Sequence, residues 1–103
     1  MMTRQQYLTL ILGEECSEVA QMTSKINRFG LHEIFPHQPL TNAQRLHLEL
    51  DDLMAMVEML NEECGLDYVP SRERIEAKKV KVNDYAHYSK KLGMLDPLSF
   101  SND

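Results

Sequence analysis

Three observations predict an all-α fold. Apolar residues recur three and four positions apart through two long stretches, which is the period of one buried face of an α-helix. Thr3 with Gln6, and Thr41 with Gln44, have the spacing of capping boxes, in which a threonine begins a helix. A glycine follows each helical stretch, at Gly30, Gly65 and Gly93. The expected architecture is an antiparallel bundle of three main helices, to which a short C-terminal helix can be added.

The first helix is expected to begin after Thr3 and to end at Phe29. Its buried seam mixes apolar and charged residues: Leu8, Ile11, Glu15, Glu18, Met22, Lys25 and Phe29. Two glutamates therefore occupy positions that face the core, where charged groups are rarely found without a partner. Residues 31–40 contain two prolines and no helical period, so they are predicted to form a loop that can lie over a site.

The second helix is expected to run from Asn42 to Cys64. Its apolar seam consists of Leu46, Leu50, Leu53, Val57, Leu60 and Cys64. A second stripe beside this seam changes from acid to thioether and consists of Glu49, Asp52, Met56 and Met59. Because the helix is apolar over much of its circumference, it is expected to contact more than one neighbour.

The third helix is expected to begin after Ser71, which can cap it, and to reach about Leu92. We predict a single domain over residues 1–103, with a core of residues 1–95 and a tail of residues 96–103. A domain of this size leaves much of its surface unburied, so we expect oligomerisation, as a dimer or a tetramer, to complete its core.

The charge distribution excludes some partners. Residues 1–70 hold 4 basic and 11 acidic side chains, whereas residues 71–103 hold 7 basic and 5 acidic ones. An acidic body repels extended nucleic acid.

Cys16 and Cys64 lie far apart and are interpreted as reduced, mostly buried residues of a cytoplasmic protein. The N-terminal residues match neither a signal peptide nor a membrane span.

The two acidic clusters are expected to meet. Glu15 with Glu18, and Glu49 with Asp52, are each three residues apart, so each pair lies on one helical face. In an antiparallel pair of helices, Glu18 and Asp52 both lie roughly 15–16 Å from the connecting loop. Facing carboxylates in a partly dry seam repel one another, and a divalent cation relieves that repulsion. Ligands that offer only oxygen favour Mg²⁺ or Mn²⁺ over zinc.

Two other interpretations of these acids remain open at this point. Acidic residues three apart on a helix are commonly solvated and bind nothing. A di-iron bundle is the other metal site of this architecture, but it requires a histidine three residues after a glutamate, and the sequence contains no such pair. Neither a glycine-rich phosphate loop nor a serine-hydrolase motif is present.

The pattern E-E-x-x-E at residues 14–18, followed by E-x-x-D at residues 49–52, resembles the MazG-like, all-alpha nucleoside triphosphate pyrophosphohydrolase superfamily. The resemblance extends from about Tyr7 to Gly93. It implies hydrolysis of a (deoxy)nucleoside triphosphate to the monophosphate and pyrophosphate, as house-cleaning of unwanted nucleotides. It also implies that Mg²⁺ is held by four carboxylates: Glu15, Glu18, Glu49 and Asp52.

Phosphate ligands follow from the same resemblance. The related all-alpha dUTPases hold phosphate with a Lys and an Asn four residues apart on a later helix, and Lys79 with Asn83 has that spacing. Lys25 continues the glutamate seam and is a further phosphate candidate. Either one chain or a partner subunit could supply the lysines, and a solvated charged face is the other interpretation of them.

The general base is Glu15 or Glu18, between which the sequence does not choose. A non-catalytic helical dimerisation module and a nucleotide sensor with little turnover are the alternative functions. The recognised base would be selected by loop residues 31–40, together with residues of another subunit, and the sequence does not identify it. Phe29, Phe35, Tyr85 or Tyr88 could stack on the base, although aromatic residues at helical spacing are more often part of a core.

Overall fold

The structure, a computed structural model, describes residues 1–99. All regular secondary structure in these residues is helical. The three main helices are α1 (Arg4–Phe29), α2 (Asn42–Cys64) and α3 (Arg72–Lys91), and a short 3₁₀ helix spans Pro97–Ser99. The predicted fold class and all three main helices are therefore confirmed. Of the predicted tail, residues 100–103 lie outside the described residues.

Helices α1 and α2 pack against each other in antiparallel orientation. Leu8 of α1 is buried in one cluster with Met56 and Leu60 of α2. At the same end, the Arg4 guanidinium forms a two-point ion pair with the Glu63 carboxylate, at 2.9 and 3.2 Å. The start of α1 therefore lies level with the end of α2. This register determines which residues of the two helices lie beside each other.

The packed face of α2 includes residues of both predicted stripes, and Leu50 is the seam residue that departs from the prediction. Leu50, which the pattern places in the buried seam, is 41% exposed, whereas Met56 of the neighbouring stripe is only 8% exposed. Leu60 and Cys64 of the predicted seam pack together with Met56 and Met59 of the acid-to-thioether stripe. Glu49 lies two turns before Met56 on the same side of the helix. Leu50 stays on the outside of the pair.

The loop between α1 and α2 is held to the first turn of α2. Both predicted capping boxes form, with Thr3 and Thr41 accepting hydrogen bonds from the third residue of their helices. The Asn42 and Ala43 amides donate to the carbonyl oxygens of Glu33 and Leu31, at 3.0 and 2.8 Å. The loop therefore takes up backbone N–H groups that a helix start otherwise leaves without partners.

The chain divides into two compact units, Met1–Tyr68 and the part from Val69 onward. The first unit contains the α1–α2 pair and the loop. The second contains α3, which begins after Ser71 as predicted and has no buried side chain. Its apolar positions Val82 and Tyr85 are exposed, at 53% and 63%. Along residues 1–99, no helix has both the length and the apolar character that a membrane span requires.

Candidate metal centre

Three of the four predicted ligands come together between α1 and α2. Carboxylate oxygens of Glu15, Glu49 and Asp52 lie within 4.8 Å of one another. Glu15 and Glu49 are half-buried, and Asp52 is exposed. We call these three residues the carboxylate group. A cluster of this size is small enough for all three side chains to reach one cation.

The local sequence explains why they meet. Glu49 and Asp52 are three residues apart on α2, so their side chains lie on one face about a turn apart. Glu15 is eleven residues beyond Arg4 and Asp52 is eleven residues before Glu63, and Arg4 and Glu63 are paired at the far end of the same two helices. The antiparallel register therefore brings Glu15 level with Asp52.

The carboxylate group carries uncompensated negative charge. The pKa of Glu15 is raised above its ordinary value, first by partial burial and then by the charges of Asp52, Glu49, Glu18 and Glu14. Within residues 1–99, no ion pair or hydrogen bond involves the side chains of the carboxylate group. A bound cation would remove the repulsion that raises this pKa, so the donor set fits a divalent metal.

Glu18 is the fourth predicted ligand, and it lies outside the carboxylate group. It is exposed, so the prediction that both glutamates of α1 occupy a buried seam was wrong for this residue. Three residues of an α-helix turn through about 60° less than a full turn. The Glu18 side chain therefore points about 60° away from the Glu15 side chain. Its charge still contributes to the raised pKa of Glu15, so the two carboxylates lie within electrostatic reach.

The other predicted residues are distributed over both units. Lys25 of α1 is half-buried in the first unit, toward the loop from Glu15. Lys79 and Asn83 are exposed on α3 in the second unit, and Lys79 donates to Glu76 at 3.2 Å. Cys16 is exposed, which corrects the prediction that both cysteines are mostly buried. Its position, next to Glu15 on α1, turns it away from α2.

Two residues that line a cleft beside Lys25 were missed by the sequence analysis, Asn42 and Arg45. Arg45 precedes Glu49 by four residues, a spacing that places both on one face of α2 and could have been noticed. Asn42 gives no such signal, since an asparagine directly after a capping threonine normally faces solvent. Its burial depends on how the loop folds back over it.

The pH dependence of metal-free stability follows from two shifted carboxyl groups. The raised pKa of Glu15 means that its protonation favours the folded state, so stability should increase as pH falls from neutral toward the ordinary value of 4.5. The hydrogen bond from Arg4 lowers the pKa of Glu63, so stability should be lost as pH falls further, below 4.5. Urea unfolding in EDTA, followed by circular dichroism, measures both effects.

Glu15→Gln is the matched variant for this measurement. It should remove the decline of stability between mildly acidic and neutral pH and leave the acid-side loss in place. A wild-type protein whose metal-free stability increases steadily toward neutral pH would contradict the assignment of repulsion to the carboxylate group.

The fold and the carboxylate group define a small all-α protein with a candidate site for a divalent cation. The chain matches no known family model, no characterised protein and no solved structure. The resemblance to the MazG-like superfamily thus depends on the acidic motifs themselves, and its functional implications are carried forward as a proposal.

Proposed function

We propose that the protein hydrolyses a (deoxy)nucleoside triphosphate to the monophosphate and pyrophosphate, with Mg²⁺ as its cofactor. The observation that carries the proposal is the convergence of Glu15, Glu49 and Asp52 without any cationic partner in the described residues. Like charges held together at this cost are typical of functional sites. Removal of unwanted nucleotides in the cytoplasm is the role that the resemblance suggests.

The carboxylate group would hold the metal, with Glu18 as the further ligand that the resemblance implies. Ligands of this kind suit Mg²⁺, and Mn²⁺ has the same preference for oxygen. When bound, the metal would polarise phosphate oxygens and lower the pKa of a water molecule. The half-buried positions of Glu15 and Glu49 fix their side chains better than a fully solvated cluster would.

The protein's own side chains would supply the remaining chemistry. A carboxylate that the metal does not fully engage would accept the proton from the attacking water. Glu18, which lies outside the carboxylate group, is better placed for this role than Glu15. Lys25 would offset charge that gathers on the phosphates. Lys79 and Asn83 of the second unit belong to the same proposal as phosphate ligands, from the same chain or from a partner subunit.

A homo-oligomer is part of the proposal. Large apolar side chains of the first unit remain exposed at between 41% and 51%: Leu10, Leu48, Leu50 and Met54. A second copy of the chain would cover such residues and enlarge a core in which few side chains are buried. The same observation supports the alternative function, a non-catalytic dimerisation module whose melting temperature responds to neither Mg²⁺ nor nucleotides.

A screen of nucleoside triphosphates for pyrophosphate release tests the proposed function. The purified protein should release pyrophosphate from at least one of them with Mg²⁺ or Mn²⁺ and should stop when EDTA is added. Incubation in ¹⁸O-labelled water then identifies the phosphorus that is attacked. Turnover that continues in EDTA would exclude the proposed mechanism, and tight nucleotide binding without turnover would identify a sensor instead.

A further inference from the structure

A cleft opens at the loop end of the α1–α2 pair, within the first unit. Its volume is about 290 Å³, at the lower end of the range for small-molecule sites. The end of α1, the loop and the start of α2 all contribute to its lining, which includes Lys25, Arg28, Phe29, Phe35, Asn42 and Arg45. None of these residues belongs to the carboxylate group.

The lining is ordered along the helices. Arg45 lies four residues, or about 6 Å, from Glu49 on α2, and Asn42 lies three residues further from it. On α1, Lys25 lies four residues closer to Glu15 than Phe29 does, which is again about 6 Å along the helix axis. Carboxylates, then cations, then aromatic rings with a buried amide therefore follow one another toward the loop.

The cations of the cleft are available to an anion. Lys25, Arg28 and Arg45 form no ion pair with any acidic residue in the described part of the chain. The backbone N–H groups at the start of α2 are not available to bind the anion. The N–H groups of Asn42 and Ala43 donate to loop carbonyl oxygens, and the N–H group of Gln44 donates to the Thr41 hydroxyl. Side chains alone would therefore hold the anion.

The far end of the cleft presents aromatic surface. The Phe29 and Phe35 rings pack with centroids 5.9 Å apart at an interplanar angle of 47°. Both side chains remain more than two-fifths exposed, at 43% and 44%. Arg28 lies 5.0 Å from the centroid of the Phe29 ring, which keeps a cation beside this surface. A planar, electron-rich ring can stack here next to positive charge.

Asn42 fixes the loop to the start of α2 beside the cleft. The side chain is 1% exposed, and its Nδ2 donates to Gly30 O and Glu33 Oε1, both at 2.9 Å. These two acceptors fix the amide orientation, because the opposite orientation would bring Oδ1 against them. Oδ1 is buried with no hydrogen-bond partner in the described residues. Because this oxygen is not exposed, a ligand in the cleft does not reach it, and Asn42 acts by holding the loop in place.

We propose that this cleft binds the nucleoside end of the substrate, with the base stacked on Phe29 and Phe35. Lys25 and Arg45 hold phosphate oxygens between the base and the carboxylate group. The assignment rests on the proposed function for the identity of the ligand as a nucleotide, and it adds the place where the base and the phosphates bind.

Binding of nucleoside monophosphates in EDTA tests the cleft without the metal and without hydrolysis. In NMR titrations, AMP should bind about tenfold more tightly than ribose 5-phosphate, because only AMP has a base that can stack on Phe29 and Phe35. Phe35→Ala should weaken the binding of AMP about tenfold through lost stacking. Arg45→Gln should weaken it to a similar extent through a lost charged hydrogen bond.

Two controls match these variants. Tyr7→Ala removes an aromatic side chain of α1 that is 47% exposed, close to the exposure of Phe35, but lies at the opposite end of the helix. Arg74→Gln removes an exposed arginine of α3. Both should bind AMP as the wild type does. Equal affinity of the wild type, Phe35→Ala and Arg45→Gln would overturn the proposal, and so would ribose 5-phosphate binding as tightly as AMP.

The outcome separates this proposal from the proposed function. Monophosphate binding that depends on Phe35 and Arg45, in a protein that releases no pyrophosphate, supports the cleft and removes the hydrolytic function. Metal-dependent pyrophosphate release whose KM is unchanged by Phe35→Ala and Arg45→Gln supports the function and overturns the cleft.

Discussion

Glu49→Gln should reduce metal-dependent pyrophosphate release at least about 100-fold, since even indirect supports of a metal site are worth about 10- to 100-fold. The substitution keeps the size of the side chain, removes one negative charge from the carboxylate group and replaces one ligand oxygen by an NH₂ group that cannot bind a metal. The remaining Glu15 and Asp52 would bind a divalent cation more weakly, and the loss should be partly recovered at high Mn²⁺ concentration. Pyrophosphate release at saturating nucleotide, measured over a range of metal concentrations, provides the comparison.

The matched control is Glu58→Gln on the same helix. Glu58 is exposed and lies outside the carboxylate group, so its replacement should leave both the rate and the metal dependence unchanged. Because Glu49→Gln relieves repulsion on Glu15, the metal-free variant should be at least as stable as the wild type. Equal losses in both variants, or a Glu49→Gln protein with full activity, would contradict the role assigned to Glu49.

Asn42→Ala should lower the free energy of unfolding by about 2 kcal/mol, the largest stability effect expected from a single side chain of the loop region. The substitution removes two 2.9 Å hydrogen bonds, one to Gly30 O and one to the Glu33 carboxylate. It leaves both acceptors partly buried without their donor, which costs more than the loss of an exposed hydrogen bond. Removal of the unsatisfied Oδ1 offsets part of that cost.

Asn61→Ala is the comparison for this measurement. Asn61 lies on the same helix and also bonds a loop with its side chain, through the Tyr68 backbone at 2.9 and 3.0 Å, but it is only half-buried. Its replacement should cost about 1 kcal/mol, because water can replace the lost bonds. Urea unfolding of the two variants decides the point. If Asn42→Ala proves no more costly than Asn61→Ala, Asn42 does not anchor the loop in the way the hydrogen bonds indicate.

The helices were predictable because their boundaries are set by local chemistry. Thr3 and Thr41 form capping boxes with residues three positions ahead, and Gly30 and Gly65 adopt positive φ angles of 102° and 69° at the helix ends. Such signals need no knowledge of the tertiary structure. It was also predictable that the two acidic clusters lie at about the same distance from the loop, since a helix rises by a constant amount per residue.

The exact facing of side chains could not be predicted in the same way. Leu50 and Met56 both fit an apolar stripe, and only the rotation of α2 against α1 determines that Met56 is buried and Leu50 exposed. The same rotation includes Glu15 in the carboxylate group and excludes Glu18. A difference of a fraction of a turn about the helix axis is smaller than a hydrophobic period resolves.

The cleft could not be predicted from the sequence because its lining comes from three separate segments. The burial of Asn42 results from the loop carbonyl and carboxylate groups that close around it, and residues 31–40 have no period from which their path could be inferred. Phe29 and Phe35 were identified as possible stacking residues, but only the structure shows that they adjoin each other and three cations.

Direct titration with Mn²⁺, followed by the loss of the electron paramagnetic resonance signal of the free ion, tests the central claim that the carboxylate group is a metal site. The wild type and Glu58→Gln should bind Mn²⁺ saturably and with the same affinity, Mg²⁺ should compete, and Glu15→Gln and Glu49→Gln should bind at least about tenfold more weakly. A wild-type protein that leaves the Mn²⁺ signal unchanged, or four proteins that bind the ion equally well, would contradict the claim.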